Sequence, residues 1–290
     1  MQCSEATTPD VRIRKIDAFD GVLCKQGSFV NKAFPVHFHQ EWSFTVIEAG
    51  SELLSLEDTR IHLNTEALVA IPPGMAHANQ GHPDARWAYA SLYIDPEAAE
   101  HVRVRTGLHQ AMGPLAATRI TYNRTALELF RSIVDPQGIP AEQTRRITAL
   151  FALVLGEPGP GTEQGITHSG RSGDLGELLD HLASNFQRKM TLDTLSETFH
   201  LDKYKLLRRF RSATGLTPQE YITSLRIEQA KLRLSRNEPI TEVALDHGFF
   251  DQSHFTKVFL KYVGMTPGAY QRQCARFSGA WPKPGDMGRP

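Results

Sequence analysis

Ile240 to Tyr270 reads ITEVALDHGFFDQSHFTKVFLKYVGMTPGAY. The spacing predicts two helices around a tight turn. Val243, Ala244 and His247 recur at helical intervals. Gly248 then interrupts the run, as a residue free to take positive φ can. Asp251 is placed to cap a second helix, because its carboxylate can accept from backbone N–H groups two or three residues on. That helix would bury Phe255, Val258, Phe259 and Tyr262 at i, i+3, i+4, i+7 spacing. Its other face carries Gln252, Ser253, Thr256 and Lys257, side chains suited to base edges in a major groove. His254 reads equally well as a base contact or as a surface residue.

The pattern occurs once before. Thr191 to Tyr221 reads TLDTLSETFHLDKYKLLRRFRSATGLTPQEY. Phe210, Gly215, Thr217, Pro218 and Tyr221 recur 49 positions later as Phe259, Gly264, Thr266, Pro267 and Tyr270. Upstream of the turn, Leu192 and Leu195 recur at 48, as Ile240 and Val243. The second turn, HGFFD, therefore holds one residue more than the first. A repeat with one insertion at the turn argues for two homologous helix-turn-helix units.

Five motifs lie in this region: L-x-R-x-F within Leu206 to Phe210, G-x-T-P from Gly215 to Pro218, R-x-x-x-A from Arg226 to Ala230, G-F-x-D-Q-S-x-F from Gly248 to Phe255, and G-x-T-P-x-x-Y from Gly264 to Tyr270. With them, residues 174–277 resemble the DNA-binding domain of the AraC/XylS family of transcription regulators. Two positions depart from the family pattern. Asp202 stands where the first recognition helix usually starts with Ser, and Asp also caps. Lys257 stands where Arg is usual, which replaces a bidentate guanine contact with a single-point one.

On the first recognition helix Leu206 and Phe210 read as core. Lys203, Tyr204, Lys205, Arg208 and Arg209 are the outward candidates, for phosphate or guanine. A helix is expected between the units from Pro218 to about Ser235, started by the capping box Thr217-Pro218-Gln219-Glu220. Eighteen residues give about 27 Å. Such a rod can hold two recognition helices roughly one DNA turn, about 34 Å, apart.

Charge follows the same division. Lys and Arg equal Asp and Glu over the chain, at 32 each. Residues 1–173 hold 15 basic against 19 acidic residues, net −4, and residues 174–290 hold 17 against 13, net +4. The basic half is the repeated half, as phosphate neutralisation requires. Cys3, Cys24 and Cys274 have neither metal nor redox spacing and suggest thiols of a reducing compartment. The N-terminus has no signal-peptide core, and the longest apolar run, Ala149 to Leu155, is too short to span a bilayer. A cytoplasmic protein is expected.

From Val11 to Ile94 short apolar segments alternate with turn residues: Val22–Gln26, Ser43–Glu48, Glu52–Leu56, Arg60–Leu63, Ala67–Ile71 and Ala88–Ile94. This spacing predicts a sandwich or small barrel. H-x-H at His37 and His39, followed by P-x-G-x-x-H ending at His77, resembles a cupin barrel, the sensor domain common in AraC-type regulators. His37, His39, Glu41, Trp42 and His77 are the candidate effector contacts, since small barrels hold one small molecule in the mouth. Metal-dependent cupins place a carboxylate three or four residues beyond the second His. Phe44 and its neighbours stand there, so no metal, cofactor or catalytic residue is assigned, and the histidines are read as shaping a pocket. Trp87, Tyr89 and Tyr93 are either core or ligand cover.

Amphipathic helices are expected at Asn123–Val134 and Ala141–Leu155, with a shorter one at Pro96–Val102. GEPGPGTEQGITHSGRSG, residues 156–173, reads as a linker. Residues 1–10 and the tail from 278 are expected to be disordered. The fold expected is therefore a two-domain α+β chain. A cupin-like barrel with trailing helices (11–156) and a linker (157–173) precede an all-α domain of two helix-turn-helix units joined by a long helix (174–277). The function expected is effector-responsive transcription regulation. Its partners would be double-stranded DNA, a small-molecule effector, a second copy of the chain and RNA polymerase, with no membrane. A metal-dependent cupin enzyme fused to a DNA-binding domain is the rival.

Overall fold

A computed structural model describes residues 10–16, 21–57, 59–106, 117–135, 140–156, 162–167 and 174–276. The expectations for the first nine residues and for the tail fall outside them. The N-terminal half begins with nine strands: β1 (Asp10–Lys15), β2 (Val22–Val30), β3 (Ala33–His37), β4 (Trp42–Ala49), β5 (Glu52–Leu56), β6 (Thr59–Leu63), β7 (Leu68–Ile71), β8 (His77–Gly81) and β9 (Arg86–Ile94). Helix α1 (Pro96–Thr106), strand β10 (Ala117–Thr121), helices α2 (Arg124–Val134) and α3 (Pro140–Leu155) and strand β11 (Thr162–Thr167) follow.

The strands form two antiparallel sheets, ordered β1-β2-β9-β4-β7-β10-β11 and β3-β8-β5-β6. Among the described residues hydrogen bonding does not close the two sheets into one cylinder, which is the sandwich side of the sandwich or barrel expected from the sequence. The stretch read as linker contains β11, which pairs with β10 through a register shift. Its Gly and Thr content fits an edge strand as well as a loop.

Side-chain alternation on β4 sorts two cores. Trp42, Phe44 and Val46 point to one face and pack with Phe130, Ile133, Ile147 and Phe151 of α2 and α3. Ile47 joins Phe29, Leu54, Leu56, Val69 and Trp87 between the sheets. That inner core continues into the C-terminal half, through Ile227, Phe255, Phe259 and Tyr270.

The C-terminal half is helical: α4 (Asp174–Asn185), α5 (Leu192–Thr198), α6 (Lys203–Thr214), α7 (Pro218–Ser235), α8 (Ile240–Asp246), α9 (Gln252–Val263) and α10 (Pro267–Cys274). Asp202 and Asp251 cap α6 and α9, accepting from Tyr204 N and Lys205 N, and from His254 N. Thr217 and Glu220 form the capping box of α7, with Pro218 in its first turn. Gly215 and Gly264 end α6 and α9 in left-handed conformation, at φ 71° and 84°. The repeat holds through the turns. His200 and Gly248, 48 positions apart, both have positive φ, 51° and 74°. Phe250 is the added residue, and it is 86% exposed.

Arg226 ties the two units together. Its Nε donates to Phe186 O at 2.7 Å, Nη1 to Gly248 O at 2.9 Å and Nη2 to Arg188 O at 2.9 Å. One buried guanidinium thereby satisfies carbonyls from the segment that joins α4 to α5 and from the second turn. The sequence marked Arg226 as a motif residue without indicating this work.

Candidate functional site

A cavity opens between the sheets and reaches the helical C-terminal half. Its polar wall includes Lys25, His37, His39, Ser43, Thr45, Ser91 and Tyr93. Deeper in lie Glu52 and Asn79, with Leu54, Leu63, Val69, Ile71 and Trp87 as apolar surface. Tyr262 of α9 closes one side. An adjoining cavity adds Glu41 and, from α7, Ser224, Glu228 and Lys231.

Strand register gathers the histidines. His37 of β3 lies opposite His77 of β8, and His39 follows in the irregular segment before β4. Ring centroids are 4.4 Å apart for His37 and His77, 4.8 Å for His37 and His39, and 5.3 Å for His39 and His77. His37 Nδ1 donates to Pro35 O at 2.8 Å and His77 Nδ1 to Met75 O at 3.0 Å. His39 Nδ1 lies 3.1 Å from Glu228 Oε1. Burial holds all three imidazoles below their ordinary range, His77 at about 4. Lys231 and the neighbouring histidines depress His39 and His37 further. The rings are neutral at pH 7.

Trp42, expected beside the histidines, goes elsewhere, whereas Glu41 stays next to His39, in a group with Glu228 whose ligand atoms lie within 4.8 Å of one another. Glu41 lines the adjoining cavity, 3.8 Å from Lys231 Nζ, and its Oε2 is buried without a hydrogen-bond partner. Trp42 packs in the outer core with Phe44 and Phe151. The reason is strand parity: from Trp42 onward even positions face the helices, and Ser43 and Thr45 face the cavity. Trp87, Tyr89 and Tyr93 line the cavity, whereas Phe44 does not.

The charges are unequally matched. Lys231 Nζ bonds Glu228 Oε2 at 2.6 Å. Burial alone would lower its pKa, but Glu228 and Glu41 more than offset this and raise it. Burial, with Lys231 nearby, pulls Lys25 down to about 7. Lys25 has no carboxylate partner among the described residues; its ammonium lies 5.4 Å from the Phe34 ring centroid and 5.8 Å from that of Tyr89. Burial raises Glu52 to about 7, against the hydrogen bond from Asn79 Nδ2 at 2.5 Å. Lys25, Glu52, Glu228, Lys231 and Tyr262 were not candidates from the sequence. Three of them stand more than 150 positions from the nearest of the histidines, and no local pattern links such distant segments.

Contacts across the two halves frame the cavity. Gln229 Nε2 donates to Gln40 Oε1 at 3.2 Å. Lys32 Nζ donates to Leu260 O and Lys261 O at the end of α9, where the helix dipole favours a cation. Gln273 accepts from Ile13 N at 2.6 Å and donates to Val11 O at 2.7 Å, an amide in the position of a neighbouring strand.

The DNA-binding candidates lie on α6 and α9. Lys203, Tyr204, Lys205, Arg208 and Arg209 are exposed, Tyr204 at 81%. Lys203 pairs with Asp193. Gln252, Ser253, His254 and Lys257 are exposed as well, and Thr256 is half-buried. Gln252 Oε1 accepts from Thr241 Oγ1 at 2.5 Å, and Thr256 Oγ1 donates to Gln252 O at 2.8 Å.

Known proteins share this plan. Residues 21–155 match the AraC-like ligand binding domain, and residues 195–273 match a helix-turn-helix domain. The HTH-type transcriptional activator RhaS of Citrobacter koseri is 25% identical over 244 residues, 81% of this chain and 86% of its own. The uncharacterized HTH-type transcriptional regulator YbfI of Bacillus subtilis is 28% identical over 238 residues, 78% of this chain and 82% of its own. The crystal structure of unsaturated fatty acid bound ToxT from Vibrio cholerae superposes with a TM-score of 0.55 at 15% identity, covering 96% of this chain and 98% of that one. At that identity the likeness is one of fold.

A ligand-binding domain joined to two helix-turn-helix units defines a transcription regulator that binds DNA and responds to a small molecule. Within that class, the chain belongs to the AraC/XylS family.

Proposed function

We propose that the effector binds in the inter-sheet cavity and acts on DNA binding by direct contact with the second helix-turn-helix unit. One observation carries this reading: Tyr262, which lines the cavity, belongs to α9, the second recognition helix. A molecule in the cavity meets a wall that moves with the DNA-binding half. Its differential affinity for the two domain arrangements then sets the shift in DNA binding.

The effector is a small molecule with an acidic end and an apolar body. The half-buried Lys25 has no carboxylate partner among the described residues, and Leu54, Leu63, Val69 and Ile71 form the surface beyond its amine. The fatty acid bound by ToxT is a ligand of this kind. Exposed side chains on α6 and α9 read the DNA. Lys203, Lys205, Arg208 and Arg209 serve the first unit, and Gln252, Ser253, His254 and Lys257 the second. The chain works as a regulator and not as an enzyme, in the cytoplasm. No helix among the described residues is long and apolar enough to cross a membrane. A homodimer is part of this reading, with the exposed Val104 of α1 and Leu153 of α3 as candidate contacts.

The test is a thermal-shift panel of short and medium carboxylic acids, each with its uncharged amide, followed by footprinting upstream of the protein's own gene. A hit should stabilise the parent and change its footprint. Lys25→Met should lose the preference for acid over amide. A hit whose effect is the same in Lys25→Met and parent places the acidic end elsewhere.

A further inference from the structure

We propose that His37, His39 and His77 hold a divalent transition-metal ion, and that Glu228 of the DNA-binding half orients the site.

Hydrogen bonds fix the tautomer of all three rings. Carbonyl oxygens can only accept, so the Nδ1 atoms facing Pro35 O and Met75 O must carry hydrogens. Glu228 Oε2 accepts from the Lys231 ammonium and Oε1 faces His39 Nδ1 as an acceptor, so His39 Nδ1 donates to it. A neutral imidazole protonated on Nδ1 has its lone pair on Nε2. The structure thus presents three Nε2 lone pairs from one cluster, and none has a hydrogen-bond partner among the described residues.

Ligating histidines nearly always donate the other ring N–H to a carbonyl or carboxylate, which fixes tautomer and ring orientation. All three rings here meet that condition, two through strand carbonyls and one through Glu228. Each residue offers one ligand atom, and the three atoms lie within 4.8 Å of one another. Bonds of about 2.1 Å to a tetrahedral zinc put ligand atoms about 3.4 Å apart, so the widest pair must close by up to about 1.4 Å. His39 stands outside regular strand structure and has the freedom to move. Three imidazoles suit zinc, nickel, cobalt or iron. The rings line the cavity, so the remaining coordination positions open into it.

The sequence alone leaves the metal unassigned, because the carboxylate that follows the second histidine in metal-dependent cupins is missing. The structure supplies one from the other end of the chain. Glu228 Oε1 faces His39, and Glu228 Oε2 is bonded to Lys231 Nζ at 2.6 Å, which fixes the carboxylate against both helix and ring. Glu228 is therefore a positioning residue. Through it, metal affinity depends on the DNA-binding half being docked. The site stands whichever molecule the cavity binds, and its test does not involve DNA.

The full-length chain, stripped with a chelator, should be titrated with zinc and, separately, with cobalt(II), whose visible absorption reports the ligand set. One equivalent of metal per chain is expected, with a rise in melting temperature. His77→Ala and His37→Ala should each abolish stoichiometric binding while remaining folded by circular dichroism. Glu228→Gln should weaken zinc about 10- to 100-fold and change the cobalt spectrum. If the folded parent takes up no stoichiometric metal, the proposal is overturned. The same holds if metal binding survives both histidine variants, which would move the ion to the neighbouring His39, Glu41 and Glu228 group. Should either histidine variant fail to fold, His77→Gln replaces it, and retained binding there counts equally against the site.

Discussion

Glu52 is 2% exposed and has no ion pair among the described residues. Burial raises its carboxyl from 4.5 in the open chain to about 7 in the fold. The protonated form is thus the one the native state prefers. Below about pH 4.5 folded and unfolded chains are both protonated there, and the group costs nothing. As pH rises towards 7 the unfolded chain releases its proton first, and stability falls. The full cost, on the order of 3 kcal/mol, is reached above pH 7. Glu52→Gln should remove this dependence. Urea unfolding of parent and variant should give a gap that favours Gln and widens from pH 5 to pH 8. A gap that stays constant across that range would mean Glu52 is ionised in the fold.

Lys257 poses a different question at the same scale. It is exposed one helical turn beyond Ser253. If it meets a base, Lys257→Ala should relax preference at one base pair, at about 1–3 kcal/mol. A phosphate contact would weaken all sequences alike and lower the salt slope by about one. Its mid-helix position favours the base. A binding screen over site variants decides between the two.

Elements of the C-terminal half were legible because caps and turns are local chemistry. Asp202, Asp251, Thr217, Gly215 and Gly264 each act within four residues of themselves. The caps at Asp202 and Asp251 and the helix Pro218–Ser235 stand where the sequence placed them, whereas the ends of α6 and α9 at Gly215 and Gly264 were not marked in advance. The inserted residue at the second turn was legible for the same reason. The strands were partly legible. Glu52–Leu56 matches the prediction, but β1, β3, β8, β10 and β11 were not individually marked. Edge strands and strands with polar faces, such as HANQG in β8, lack the apolar alternation that identifies a strand. Trp42 shows the limit for sites. Its type suggested a ligand contact, but parity along β4 is settled only when the sheet has a partner on each face.

The turn at Gly248 gives the prediction at this scale. A Cβ there would lie 2.3 Å from Gln187 O and 2.8 Å from Arg226 Nη2, at φ 74°. Gly248→Ala should therefore cost about 1–3 kcal/mol, read as a lower denaturation midpoint, and should loosen the Arg226 bridge. Gly176 has open space around its Cβ position, so Gly176→Ala should be neutral or slightly stabilising.

At the scale of the whole molecule, the cavity belongs to neither half alone. The histidines come from β3, the segment after it and β8. Glu228, Lys231 and Tyr262 come from α7 and α9. This is why the sequence showed half the site. Each half carried a recognisable pattern, and the docking of one on the other is encoded in no motif. The charge division bears on DNA binding instead. Affinity should fall steeply with salt, with a log–log slope of roughly 0.9 per phosphate neutralised. Arg208→Ala should reduce that slope by about one if it meets the backbone. Binding insensitive to salt would disqualify α6 and α9 as the interface.

Gln273 has one more consequence. β1 is the outer strand of the larger sheet, and the Gln273 amide occupies the free N–H of Ile13 and the free C=O of Val11. An outer strand with open hydrogen-bonding groups is a template on which other chains can nucleate. The DNA-binding half thus doubles as a cap on a sticky border. Any condition that undocks it exposes that border, and a protein held in the undocked state should precipitate by strand-to-strand stacking. Gln273→Ala should hasten that loss from solution, visible as light scattering on gentle warming, before secondary structure melts.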